Sequence, residues 1–168
     1  MLRVQTITGH EGAKAMRKFL VIIDETPECM NAVRFAARRA QKTGGGLQML
    51  FVIRPEEFQH WIGVGEVMRQ EAREAAEARF IELASKLTEN VGIIPEFVIR
   101  EGDLKDEVLA QIREDPEIGV LVLGAGSEGE GPGPLVTALA TGRMAGRLPV
   151  PLTIVPGHMT RDEVIAIA

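Results

Sequence analysis

Ile118-Gly119-Val120-Leu121-Val122-Leu123-Gly124-Ala125-Gly126-Ser127-Glu128-Gly129-Glu130-Gly131-Pro132-Gly133-Pro134 is the segment on which the architecture turns. Its first half is a continuous apolar run, the pattern of a strand buried on both faces. Its second half holds five glycines between Gly124 and Gly133. An apolar helical pattern starts after Pro134. Strand, glycine loop and helix in succession bring backbone N–H groups and a helix N-terminus to one place, where an anion is held. Glycine suits such a loop because a Cβ blocks both positive φ and the close approach of a ligand. The segment therefore reads as a loop that holds, or descends from one that held, the phosphates of a nucleotide.

Outward from this segment the chain alternates strand and helix. On the N-terminal side, Phe19–Ile23 is a β-branched and aromatic run, followed by Asp24-Glu25-Thr26-Pro27-Glu28. Thr26 as N-cap, Pro27 at the first helical position and Glu28 in the first turn predict a helix start. Cys29, Val33, Ala36 and Ala40 continue at helical spacing until Gly44-Gly45-Gly46. Leu47–Ile53 is the second strand and Glu66–Asn90 a long helix, with Ala72, Ala76, Phe80, Leu83 and Leu87 on one face and charged residues opposite. Ile93–Arg100 is the third strand, with Pro95 suited to a sheet edge. Gly102-Asp103 leads into a helix carrying Leu104, Val108 and Ile112, ended by Asp115-Pro116. A fourth helix is expected over Leu135–Arg147, a fifth strand over Val150–Val155, and a short terminal helix over Thr160–Ala168.

Five strands alternating with helices give an α/β fold, an open parallel sheet with helices on both faces. Ligands of such sheets lie beyond the carboxyl ends of the strands where the strand order reverses. Asp24 ends the first strand and Gly124 the fourth, so these two flank one crevice if their strands are neighbours.

The chain has 168 residues, 45% hydrophobic and 26% charged, as expected for one globular domain with a sizeable core. Residues 1–16, interrupted by Gly9, His10 and Gly12, read as a flexible leader, with Met16 a candidate natural start. Residues 17–157 form the domain and 158–168 a C-terminal tail. A net charge of −5 argues against a nucleic-acid surface. No apolar run approaches the roughly 20 residues of a membrane span. A lone cysteine, Cys29, excludes an internal disulfide and suits a reducing, cytoplasmic setting.

The first strand ending in Asp24, the Arg100-Glu101-Gly102-Asp103 turn, Gly119–Gly124 with its glycine loop, and the closing Leu148-Pro149-Val150-Pro151-Leu152-Thr153-Ile154-Val155 come in a telling order. Over about Arg17 to Pro156 the chain resembles the universal stress protein (UspA-like) family. The resemblance implies strand order 3-2-1-4-5, an adenine nucleotide alpha hydrolase-like fold, and a homodimer through the last strand, Val150–Val155. It also implies two branches, one that binds ATP and one that does not. Binding members carry G-x2-G-x9-G-S/T after the fourth strand. Here Gly124 takes the first position, Ser127 the second, and Gly133-Pro134 stands where Gly-Ser or Gly-Thr would, in a shorter loop. Carried over, the resemblance implies Asp24 beside adenine and ribose, the backbone of Val52 and Ile53 nearby, Gly124, Gly126, Ser127 and Gly133 at the phosphates, and Thr137 as a substitute hydroxyl. ATP with Mg²⁺ is the cofactor so implied. The expected function is a dimeric regulatory or binding module of the stress-response class, and not a catalyst. A nucleotide-free dimer acting through protein partners is the alternative, and slow ATP hydrolysis a third.

Other patterns yield less. Gly124-Ala125-Gly126-Ser127-Glu128-Gly129 is formally a dinucleotide fingerprint, but no acidic residue falls between Glu130 and Asp162 and the loop follows the fourth strand. A Walker A loop fails because Pro132 follows Gly131. Glu128 and Glu130 place negative charge within the glycine loop, which disfavours phosphate. Asp24 reads equally as a ligand of ribose or a metal and as a helix-entry acid, whereas Glu25 reads as a helix-entry acid. Cys29, on the inward stripe of its helix, reads as a buried inert thiol. His10, His60 and His158 lie in separate loops without metal-ligand spacing. Phe58, His60, Trp61, Ile62 and Val64 form an apolar cluster, either folded on the core or acting as a lid or partner patch. Arg143 and Arg147, beside Met144, complement a helix C-terminus.

Overall fold

The computed structural model describes residues 17–58, 62–129 and 131–168. The leader 1–16, and with it Met16 and His10, lies outside them, as do His60, Trp61 and Glu130. Five strands, β1 (Lys18–Ile22), β2 (Gly46–Ile53), β3 (Glu96–Glu101), β4 (Ile118–Ala125) and β5 (Leu152–Pro156), form one sheet. Among the described residues six helices accompany them: α1 (Pro27–Thr43), α2 (Gly65–Val91), α3 (Leu104–Glu114), α4 (Pro134–Ala140), α5 (Gly142–Ala145) and α6 (Arg161–Ile167). A single 3₁₀ turn, Pro55–Phe58, follows β2.

The strand order is β3-β2-β1-β4-β5, and every pairing is parallel. The expected order and the adjacency of β1 and β4 are therefore present, and β3 and β5 are the edges. Alternate residues of each strand feed two cores. Val21, Met49 and Val122 pack under α1, α2 and α6 with Val33, Leu83 and Val164. Leu20, Ile22, Leu50, Leu121 and Leu123 pack under α3 and α4 with Val108, Ile112 and Leu139. The register of β1 on β4 slips between Lys18 and Phe19, which pair with Ile118 and Val120. Gly119 is the extra residue of this bulge, and its lack of a side chain admits the Arg17 stem, which a Cβ would approach to 3.1 Å.

Several local readings need correction; β3 begins at Glu96, which leaves Ile93 and Pro95 outside it. Thr26 occupies the N-cap position of α1 but makes no side-chain cap. Its hydroxyl and its N–H both donate to Asp24 Oδ1, at 2.5 and 2.8 Å, in an Asx turn. The expected helix Leu135–Arg147 is two short helices, because Thr141 is extended and Gly142 is left-handed at φ 59°. β5 begins at Leu152, beyond Pro149 and Pro151. Residues 158–168 pack on the body: Asn31 Nδ2 donates to the carbonyls of Pro156, Gly157 and Met159, and Val164 of α6 is fully buried.

Candidate functional site

The chain reverses direction across the sheet between β1 and β4, so the loops leaving these strands diverge and open a cleft. It has a volume of about 550 Å³. Ile22, Ile23 and Asp24 from β1 and its exit, Val52 and Ile53 from β2, Leu123 and Gly124 from β4, and Gly133 ahead of α4 form its walls. Phe58 of the 3₁₀ turn, Ala72 and Ala75 of α2, Leu104 and Leu135 add apolar surface. A parallel strand delivers consecutive residues to opposite faces, so at its C-terminal end both side chains and carbonyls reach the rim.

Of the eight residues singled out from the sequence, five line this cleft: Asp24, Val52, Ile53, Gly124 and Gly133. Asp24 is exposed at the rim, its Oδ1 committed to the Thr26 turn. The Ile53 carbonyl accepts the Gly102 N–H at 3.0 Å, tying the ends of β2 and β3 together. Gly124 is a strand residue paired with Val155. A Cβ on it would lie 2.4 Å from the Glu28 carbonyl oxygen, so the first turn of α1 sits on the space it leaves free.

Gly126, Ser127 and Thr137 lie off the cleft walls. The Gly126 N–H donates to the Pro132 carbonyl, at 3.3 Å, closing the glycine loop on itself. Ser127 is exposed, and so is Glu128. The Thr137 hydroxyl donates back to the Gly133 carbonyl at 3.0 Å. Pro134 at the start of α4 removes one of the N–H groups that a helix terminus presents.

The charge of the site was not legible beforehand. Among the described residues Asp24, Glu25, Glu28 and Glu57 line the cleft against one cation, Arg54. Arg54 Nη2 is itself paired with Glu57 Oε1 at 2.5 Å. Glu28, read from sequence only as a first-turn acid of α1, sends its carboxylate over the glycine loop, with Oε1 3.3 Å from the position of a Cβ on Gly126.

Cys29 lies on the inner wall, buried, with its Sγ donating to the Ile22 carbonyl at 3.6 Å. Burial pushes its thiol up to about 11, which keeps it protonated and unreactive near neutral pH. The expectation of a buried thiol therefore holds. His158 is exposed. In the connection after β2, Phe58 turns into the cleft while Ile62 and Val64 are exposed. Arg143 and Arg147 are exposed and away from the cleft. Among the described residues no three His, Cys, Asp or Glu side chains converge as metal ligands, and no helix is long and apolar enough to cross a membrane.

An open parallel sheet of order 3-2-1-4-5 with a cleft at the β1/β4 reversal defines an α/β protein of the adenine nucleotide alpha hydrolase-like fold. The universal stress protein family model matches residues 16–156, and the chain belongs to that family. The solved universal stress protein UspA of Lactobacillus plantarum is 20% identical, with a TM-score of 0.62 over 83% of this chain and 97% of its own. A universal stress family protein of Arabidopsis thaliana, solved with AMP bound, is 18% identical, with a TM-score of 0.53 over 88% of this chain and 94% of its own. A universal stress protein solved in complex with cAMP is 16% identical, with a TM-score of 0.57 over 84% of this chain and 98% of its own. No curated protein matches the sequence.

Proposed function

We propose that this protein is a dimeric, cytoplasmic binding module of the universal stress class whose β1/β4 cleft takes the adenosine portion of an adenine nucleotide or nucleoside, and that it acts by binding and not by catalysis. The observation that carries this reading is the cleft itself. It combines apolar walls from Val52, Ile53, Phe58 and Leu104 with the rim carboxylate Asp24. Polar groups at the rim of apolar walls are the make-up of a small-molecule site. Among the described residues Asp24 Oδ2 makes no hydrogen bond, so it is placed to accept from a ribose hydroxyl while Oδ1 holds the turn. The AMP- and cAMP-bound proteins of the same fold support an adenine ligand. ATP with Mg²⁺ belongs to this reading as one member of the ligand class.

Calorimetry with adenosine, AMP and ATP tests it. Binding of at least one is expected, and Asp24→Ala should weaken it about tenfold, the scale of one lost hydrogen bond to a charged group. Heat with none of the three overturns the reading. Phosphate release should be the same for the wild type and Asp24→Ala; a difference would assign hydrolysis to the cleft.

Dimerisation belongs to the β5 edge. That strand has a free side, Ile154 is 40% exposed on it, and Leu148, Val150 and Leu152 line an adjoining groove. An unpaired apolar edge is a template for a second strand. Light scattering should give a dimer for the wild type and a monomer for Ile154→Lys; a monomeric wild type removes this part of the proposal.

A further inference from the structure

We infer that Glu28 makes this cleft selective for adenine ligands with little or no phosphate, its carboxylate standing where the glycine loop would otherwise take a phosphate chain. The inference rests on the adenosine-binding reading above and concerns the other end of the same cleft.

Three features converge. The Glu28 side chain leaves the first turn of α1 and crosses toward the loop after β4: its Cβ lies 3.1 Å from the position of a Cβ on Gly124, and its Oε1 3.3 Å from that of one on Gly126. The space a side chain would take at Gly124 is occupied by the Glu28 backbone, and at Gly126 it is shared by the Gly131 carbonyl oxygen, at 2.8 Å, and the Glu28 carboxylate. Two of the donors that would meet a phosphate are also spent or missing. Gly126 N–H is bonded to Pro132, and Pro134 has no N–H to offer at the start of α4. Finally, among the described residues that line the cleft, no unpaired cation offsets the acid. The cleft is lined by four carboxylates and one guanidinium, and that guanidinium is paired with Glu57.

A phosphate brought onto the loop would therefore meet Glu28 at a few ångströms in a partly desolvated cleft, where like charges repel strongly. Glu28 is half-buried and its side chain can swing outward, so the repulsion is reduced but not removed. Adenosine itself is neutral, so the charge of Glu28 acts chiefly on the phosphate chain of a ligand.

The test is calorimetry of the full chain with adenosine, AMP and ATP with Mg²⁺, on wild type and Glu28→Gln. Wild type should bind adenosine at least about tenfold more tightly than ATP, with AMP between them, and the substitution should raise ATP affinity by about tenfold while leaving adenosine within about twofold. A second measurement needs no variant: high salt should narrow the adenosine–ATP gap of wild type by screening the repulsion. Equal binding of ATP and adenosine by wild type at low salt overturns the inference and leaves the adenosine site standing. So does an equal effect of Glu28→Gln on all three ligands. Absence of heat with every ligand, in both proteins, overturns the adenosine site and this inference together.

Discussion

Gly124 shows how one residue type can carry two demands. From the sequence it is the first glycine of a ligand loop. In the fold it is also the point where α1 rests on β4, with the Glu28 carbonyl oxygen 2.4 Å from where its Cβ would be. Backbone cannot retreat as a flexible side chain can, so Gly124→Ala should overpack the junction and lower stability by about 1–3 kcal/mol. Urea unfolding at neutral pH checks this; an unchanged midpoint would mean that α1 can shift away from the sheet. Cys29 offers a second residue-scale expectation. Its thiol is buried on the apolar wall and pushed up to about 11, first by desolvation. It should resist a thiol reagent in the native protein at pH 7 and react at once after unfolding. Fast reaction of the folded chain would show that the inner wall opens. The burial of Cys29 was legible, because Cys29, Val33, Ala36 and Ala40 share one stripe of α1. The reach of Glu28 was not. A first-turn acid is already explained by the helix dipole, and nothing local announces a contact with a loop almost the length of the domain away.

At the scale of elements, the strands were the easiest to read and helix ends the hardest. Ile118–Ala125 and Leu47–Ile53 are apolar runs bounded by glycine or charge, and they are strands within a residue or two. Which face each residue serves was not legible, since a parallel strand covered on both sides has no period-two pattern. The break between α4 and α5 escaped because Leu135–Arg147 keeps an apolar stripe straight through Thr141-Gly142. The extended Thr141 and the positive φ of Gly142 show that the helix restarts there. The last element had a signal in plain view. Thr160-Arg161-Asp162-Glu163 forms a capping box: Thr160 Oγ1 accepts the Glu163 N–H, and Glu163 Oε2 accepts the Thr160 N–H. The box fixes the start of α6, which buries Val164 and Ala168 against α1. Thr160→Ala should therefore cost about 1 kcal/mol, by the usual loss of a cap. Thermal melting of the variant tests it. A loss confined to noise would mean that burial of Val164 alone holds the helix in place.

For the molecule as a whole, the two ends of the sheet do different jobs. The carboxyl end of the strands opens the cleft; the opposite end is closed by a polar network that no local pattern revealed, because its members come from β1, β2, β3, α3 and the loop before β4. Buried Lys18 Nζ meets Asp115 at 3.0 Å, Glu96 at 3.0 Å and Glu117 at 2.8 Å. Gln48 donates to Asp115 and Glu96 and accepts from Gln111, whose Oε1 takes a bond from Arg100. Burial alone would push the Asp115 carboxyl up. The hydrogen bonds from Lys18, the Glu117 N–H and Gln48 outweigh it and hold Asp115 below the usual carboxylate range. Burial likewise works against the charge of Lys18, but the carboxylates of Glu117, Glu96 and Asp115 overcome it and raise it above the ordinary lysine value. A lowered folded pKa means that Asp115 adds stability at pH values above its unfolded value, near 4, and loses it as pH falls through the lower folded value. A raised one means that Lys18 adds stability below its unfolded value, near 10, and loses it as pH climbs toward the folded value. The protein should thus be most stable between these limits. Urea midpoints measured from pH 7 downward should fall below about pH 4, and the fall should be shallower in Asp115→Asn, which has no proton to take up there. Lys18→Met should be the harsher change at neutral pH, about 3 kcal/mol, because it leaves the largely buried Asp115, with the half-exposed Glu96 and Glu117 beside it, without the cation. That variant should recover part of its loss as the pH is lowered and the carboxylates are neutralised, opposite in sign to the wild type. A Lys18→Met protein that only weakens further on acidification would show that the network is held by its amide bonds and not by charge.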